Sequence, residues 1–141
     1  MRVYVDSSVV LAHILKGDVA LSGVSAEATG ASDLLVIECH RVLQRERMSG
    51  ALDDHQYGEA VQMLEDIMDG LALIEMGPSV KRRAAGPFPT VIGTLDAIHL
   101  ASALLWQETE PGSEVRILTL DRQLALCAGA MGITPMPTGS R

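Results

Sequence analysis

Short β-branched runs alternate with longer stretches of helical period along this chain, and nothing else in it constrains the fold so tightly. RVYVD (2–6), LALIE (71–75) and EVRILTL (114–120) read as strands. Between them, SSVVLAHIL (7–15), DLLVIECHRVLQRERM (33–48), a segment after Asp53 or Asp54, PSVKRRAAG (78–86), TLDAIHLASAL (94–104) and DRQLALCAGAM (121–131) read as helices. Strands that take turns with helices pair in parallel and need both faces of their sheet covered. The expectation is one α/β domain over residues 1–141, a central parallel sheet flanked by helices on both faces.

Punctuation supports these boundaries. Ser7 or Ser8 is the expected cap of the first helix, Ser32 of the second, and Thr94 of the 94–104 helix. Gly50, Gly70 and Gly132 close helices. The 33–48 helix carries an apolar stripe of Leu35, Cys39, Val42 and Leu43. The next carries Tyr57, Ala60, Val61, Leu64, Ile67 and Met68, a core or dimer surface. Residues 17–31 are rich in Gly, Ala and Ser and give no clear period; a short strand is expected near ATGA (28–31). GPFPTVIG (86–93) is a loop, and ITPMP (133–137) an edge strand at most.

Composition excludes several classes. With 141 residues and 48% apolar content, the chain can bury a core, although aromatics are few. Cys39 and Cys127 lie far apart without C-x-x-C spacing, which argues against a disulfide framework or a zinc site. The start has no signal-like apolar run, and no segment approaches a membrane span, so a cytoplasmic protein is expected. The net charge of −7 runs against the basic surface usual in nucleic-acid binders.

Four acids stand out. Asp6 closes the first strand and Asp121 follows ILTL, both at carboxyl ends of strands, where open parallel sheets bind ligands. Asp96 lies in the first turn of a helix that is otherwise almost wholly apolar, beside Leu95, Ile98, Ala101 and Leu104. Glu38 falls at the margin of its helix stripe, half buried near the sheet. Each has a mundane reading: Asp6 and Asp121 as helix caps, Glu38 as a surface partner of Arg41 or His40. Asp96 resists one, because a first-turn dipole contributes only about 0.3–1 kcal/mol, too little to bury a bare carboxylate. Gathered carboxylates repel, and a hard divalent cation, Mg²⁺ or Mn²⁺, resolves the repulsion.

VDSSVVL (5–11), SDLLVIECHRVL (32–43), TLDAIHLASAL (94–104) and ILTLDRQLA (117–125) resemble the four motifs of the PIN domain, in that family's order and at similar spacing. The closest likeness is to VapC-type toxins of toxin–antitoxin pairs. The resemblance implies a Mg²⁺- or Mn²⁺-dependent endoribonuclease, a homodimer, and a cognate antitoxin that blocks the site. Its catalytic and metal-holding quartet falls on Asp6, Glu38, Asp96 and Asp121. Thr119 matches its hydroxyl residue before the fourth acid, and Ser7 or Ser8 the small polar residue after the first.

Other polar residues have plainer roles. His99 is expected as a packed, hydrogen-bonded histidine rather than a ligand, since oxygen donors suit Mg²⁺ better. His13, His40 and His55 form no ligand spacing. Arg41 and Arg45, one turn apart on the Glu38 side, are the candidate phosphate contacts, against solvated surface; Lys81, Arg82 and Arg83 are the densest basic run, surface first and RNA contact second. A receiver domain would need an acidic pair and a late lysine, and a D-x-D phosphohydrolase an acid where Ser8 stands. The remaining alternative is a non-catalytic PIN-fold domain that only binds partners.

Overall fold

The computed structural model describes residues 1–24 and 28–138. Its core element is a four-stranded, all-parallel sheet of β1 (Arg2–Val5), β2 (Thr29–Ser32), β3 (Ala72–Ile74) and β4 (Val115–Leu118), in the order β3-β2-β1-β4. Six helices accompany it: α1 (Ser7–Lys16), α2 (Leu34–Met48), α3 (Asp54–Asp69), α4 (Pro78–Ala84), α5 (Thr94–Glu108) and α6 (Arg122–Ala130). The expected α/β architecture is present.

Side-chain alternation in β1 divides the core. Val3 and Val5 face a layer built by α1, α2 and α3, with Val9, Val10, Leu35, Leu43 and Leu64 buried there. Tyr4 faces the opposite layer, where Leu100, Leu104, Leu124 and Cys127 of α5 and α6 cover Val115 and Ile117 of β4. The stripe of α3 is core: Ala60 and Leu64 are buried, and Tyr57, Val61, Ile67 and Met68 pack against them.

Several boundaries differ from expectation, each for a local reason. Asp6, not Ser7 or Ser8, occupies the N-cap position of α1. Ser32 lies in β2; its hydroxyl still accepts the Leu34 N–H (3.1 Å), capping from one residue further back. Thr94 is the first residue of α5, with Gly93 at the cap position. Leu95 is half exposed rather than part of the buried stripe. Asp53 is the cap of α3, in a reciprocal capping box with Gln56. The strand expected over 28–31 is Thr29–Ser32; of the surrounding 17–31 stretch, residues 21–23 form a single 3-10 turn and 25–27 lie outside the described residues. Residues 133–137 contribute one parallel bridge, Ile117 to Pro135, along the outer edge of β4.

Strand order places the switch point. From β1 the chain steps outward through β2 to β3, then returns to β4 on the other side of β1. The carboxyl ends of β1 and β4 therefore flank the crevice where such sheets hold ligands. No helix among the described residues is long and apolar enough to cross a membrane.

Candidate active site at the carboxyl edge of the sheet

Asp6 leaves β1 and turns into α1 with only 3% of its surface exposed. Its carboxylate is held from two sides. Ser8 Oγ donates to Oδ1 and Thr119 Oγ1 donates to Oδ2, both at 2.6 Å. The same hydroxyls accept backbone N–H groups from the β4–α6 turn, Ser8 from Leu120 (2.9 Å) and Thr119 from Asp121 (3.0 Å). Thus Ser8 and Thr119 tie the ends of β1 and β4 together around one carboxylate; Ser7 takes no part in these bonds. Burial pushes the Asp6 carboxyl above its ordinary range, against the two hydroxyl donors.

Asp121 caps α6, accepting from the N–H groups of Gln123 (2.9 Å) and Leu124 (3.1 Å) through Oδ1. Its mundane reading as a cap is therefore correct, yet it does not exhaust the residue. Asp96, in the first turn of α5, stands close enough to Asp121 for the two carboxyls to hydrogen-bond when one is protonated. Burial, then the Asp121 charge and that bond, then the Asp6 charge, push Asp96 up to about 6; His99 opposes them.

Glu38 reaches the same edge from α2 by another route. Its partner is neither Arg41 nor His40 but His99, whose Nε2 lies 2.7 Å from Oε1. The Glu38 side chain is 13% exposed. His99 is 1% exposed, and its Nδ1 is 2.8 Å from the Tyr4 hydroxyl, which accepts the Ser32 N–H at 3.0 Å. Tyr4 and His99 meet edge to face, centroids 5.9 Å apart. Nothing in the local pattern around Glu38 announces this partner, which stands 61 residues away.

The four acids thus fall into an aspartate trio and a glutamate bound to His99. Among the described residues no group of three or more His, Cys, Asp or Glu forms a ready metal-ligand set. The donor chemistry nevertheless fits a hard divalent ion: the groups at hand are carboxylate and hydroxyl oxygens, and the charges of Asp121 and Asp6 that help raise Asp96 mark a place where positive charge is favoured. Arg41 is exposed and donates to Gln44 Oε1 (2.7 Å), and Arg45 is exposed; neither bonds an acid of the site. Arg83 pairs with Glu108 (2.7 Å) at the surface, and Lys81 and Arg82 are exposed. Beside Asp121 an open depression of about 600 Å³ runs past Thr119, Arg122, Met136 and Pro137.

The structure is similar to the crystal structure of PAE2754 from Pyrobaculum aerophilum, with a TM-score of 0.60 and 20% identity over 89% of this chain and 78% of that one. At that identity the likeness bears on the fold alone. Neither a family model nor a curated protein matches the chain.

Proposed function

We propose that this protein is a Mg²⁺- or Mn²⁺-dependent endoribonuclease of the PIN type, the toxin of a toxin–antitoxin pair. The observation that carries the reading is the approach of Asp96 to Asp121 beside buried Asp6, at the switch point of a parallel sheet. The four PIN-like motifs supply the chemistry expected of that edge. Asp6, Glu38, Asp96 and Asp121 would hold the ion. When bound, such an ion activates water and stabilises the charge of a phosphoryl transition state. Ser8 and Thr119 keep Asp6 fixed, and the start of α6 sets Asp121. Arg41 and Arg45, exposed on α2, are the candidate contacts to substrate phosphates.

His99 is buried and occupied at both ring nitrogens, so it does not reach a ribose hydroxyl as a base. The reading therefore favours water as nucleophile, with 5′-phosphate and 3′-hydroxyl products. A cytoplasmic location, a homodimer and a cognate antitoxin belong to the same proposal. The alternative, a PIN-fold domain that only binds partners, draws support from the lack of a ready ligand set among the described residues.

Cleavage of a panel of labelled structured RNAs in Mg²⁺ or Mn²⁺, with end-group analysis, separates the two. EDTA should abolish cleavage. Asp96→Asn should lose on the order of 100-fold or more while staying folded, the scale seen when transition-state charge stabilisation is removed. Cleavage that survives EDTA, or full activity in Asp96→Asn, would put the binding-domain reading in front.

A further inference from the structure

His99 lies on a mostly apolar wall of α5, flanked by buried Leu100, Ala101 and Ala103, with Ser102 the other buried polar residue of that helix. A leucine would fill that volume. The imidazole instead brings two polar nitrogens into a region where each unmet group costs about 1–3 kcal/mol. Both are met, and the partners come from three other elements. Tyr4 is on β1, the Ser32 N–H ends β2, and Glu38 comes from α2. The Glu38 carboxylate can only accept, so the neutral imidazole carries its proton on Nε2 and Nδ1 accepts from the phenol, whose oxygen in turn accepts the Ser32 N–H. The run is directional: Ser32 N–H to Tyr4, Tyr4 O–H to His99, His99 N–H to the carboxylate.

We propose that His99, oriented by Tyr4, is the positioning residue that fixes the Glu38 carboxylate on the side of the sheet edge where His99 also faces Asp6 and Asp96. This rests on the metal-nuclease reading and adds to it the means by which the fourth acid is kept at the edge. Glu38 extends from a helix that packs on the α1–α3 face, and His99 is the hydrogen-bond donor that meets it. Without the imidazole its carboxylate is free to rotate toward solvent. Partners that orient metal ligands typically matter about 10–100-fold in ion affinity or activity.

Two amides separate positioning from filling. His99→Gln places its amide near the Nε2 position and keeps a donor for Glu38. His99→Asn places its amide near Nδ1 and keeps only the Tyr4 side. His99→Leu keeps the volume and neither bond. Calorimetric titration of the metal-free full chain with Mn²⁺ should show His99→Leu and His99→Asn weakened about tenfold or more, and His99→Gln close to wild type. Thermal melts of the same variants run in parallel, because mere filling would rank them by stability instead. Imidazole nitrogen NMR gives a readout without metal or RNA. Wild type should show His99 as the Nε2–H tautomer with a slowly exchanging proton, shifted in Glu38→Ala and broadened in Tyr4→Phe. Wild-type Mn²⁺ affinity in His99→Leu, or an imidazole signal indifferent to Glu38→Ala, overturns the positioning role. A wild type that binds Mn²⁺ with the expected ranking but cleaves no RNA supports it and overturns the nuclease reading alone.

Discussion

Burial and the neighbouring Asp121 hold the Asp96 carboxyl above its ordinary range, and that makes stability depend on pH. The Asp96 carboxyl titrates near 6 in the folded protein and near 3.8 in an unfolded chain. Between those values the native state holds the extra proton, so raising the pH favours unfolding. The contribution is fully present below about 3.8 and is lost as pH rises through about 6. Asp96 is partly exposed, and solvent screening trims the effect to on the order of 1 kcal/mol. In EDTA, the urea midpoint of wild type relative to Asp96→Asn should therefore fall between pH 4.5 and 7.5, with the variant the more stable at neutral pH. A difference that grows in favour of wild type across that window would contradict the raised carboxyl. At this scale the sequence exposes Asp6 and Asp121 through their strand ends, and Asp96 through its apolar helix. It hides the partner of Glu38, because a hydrogen bond spanning 61 residues leaves no periodic trace. The Tyr4–His99 contact, across 95 residues, is equally silent.

Among the elements, β2 is the least expected strand and the most instructive. Its four residues, Thr-Gly-Ala-Ser, have little β-forming bulk, yet all are buried. Trp106, near the end of α5, explains the choice. A Cβ at Gly30 would come within 2.7 Å of Trp106 Cη2 and 3.0 Å of the Ala72 carbonyl oxygen. Arg2 lies over the face of that indole, 4.8 Å from its centroid, and donates to the Trp106 carbonyl, which helps to hold the residue in place. Gly30→Ala should thus destabilise the protein by about 1–3 kcal/mol, the usual cost of overpacking. The indole is the chain's one tryptophan, so its fluorescence reports the displacement while a denaturant midpoint reports the cost. An unshifted midpoint would mean that α5 yields without penalty. Long helices such as α2 and α3 were legible because their stripes repeat over several turns. β2 was legible only as a short strand near 28–31, one residue off at each end, since small residues chosen to admit a neighbour carry little β signal. Helix starts shifted by a residue or so for local reasons: Asp6 takes the cap position of α1 with its carboxylate bonded by Ser8 and, across the sheet edge, Thr119, and Ser32 caps α2 from within β2.

On the scale of the molecule, the alternation of strands and helices was enough to infer a parallel sheet, but not its order. The order matters because it draws together acids whose mutual repulsion the fold must hold in check. A divalent ion that binds only the native state relieves that repulsion and stabilises by mass action, about 2.7 kcal/mol at a hundred times its Kd. Millimolar Mn²⁺ should raise the melting temperature above that in EDTA, and Asp96→Asn should blunt the rise. A melting curve unmoved by Mn²⁺ would count against an ion site at this edge. The central strand β1 has β2 on one side and β4 on the other, and Thr119 follows Asp6 by 113 residues. During translation, at about 5–20 residues per second, that separation amounts to roughly 6–20 s. Throughout this interval Asp6 lacks the Thr119 hydroxyl that donates to its Oδ2, and Asp121 follows only two residues later. A fragment that stops before β4 carries Asp6, Glu38 and Asp96 but lacks Thr119 and Asp121, so on the proposed reading the ion site assembles only after β4 has paired with β1.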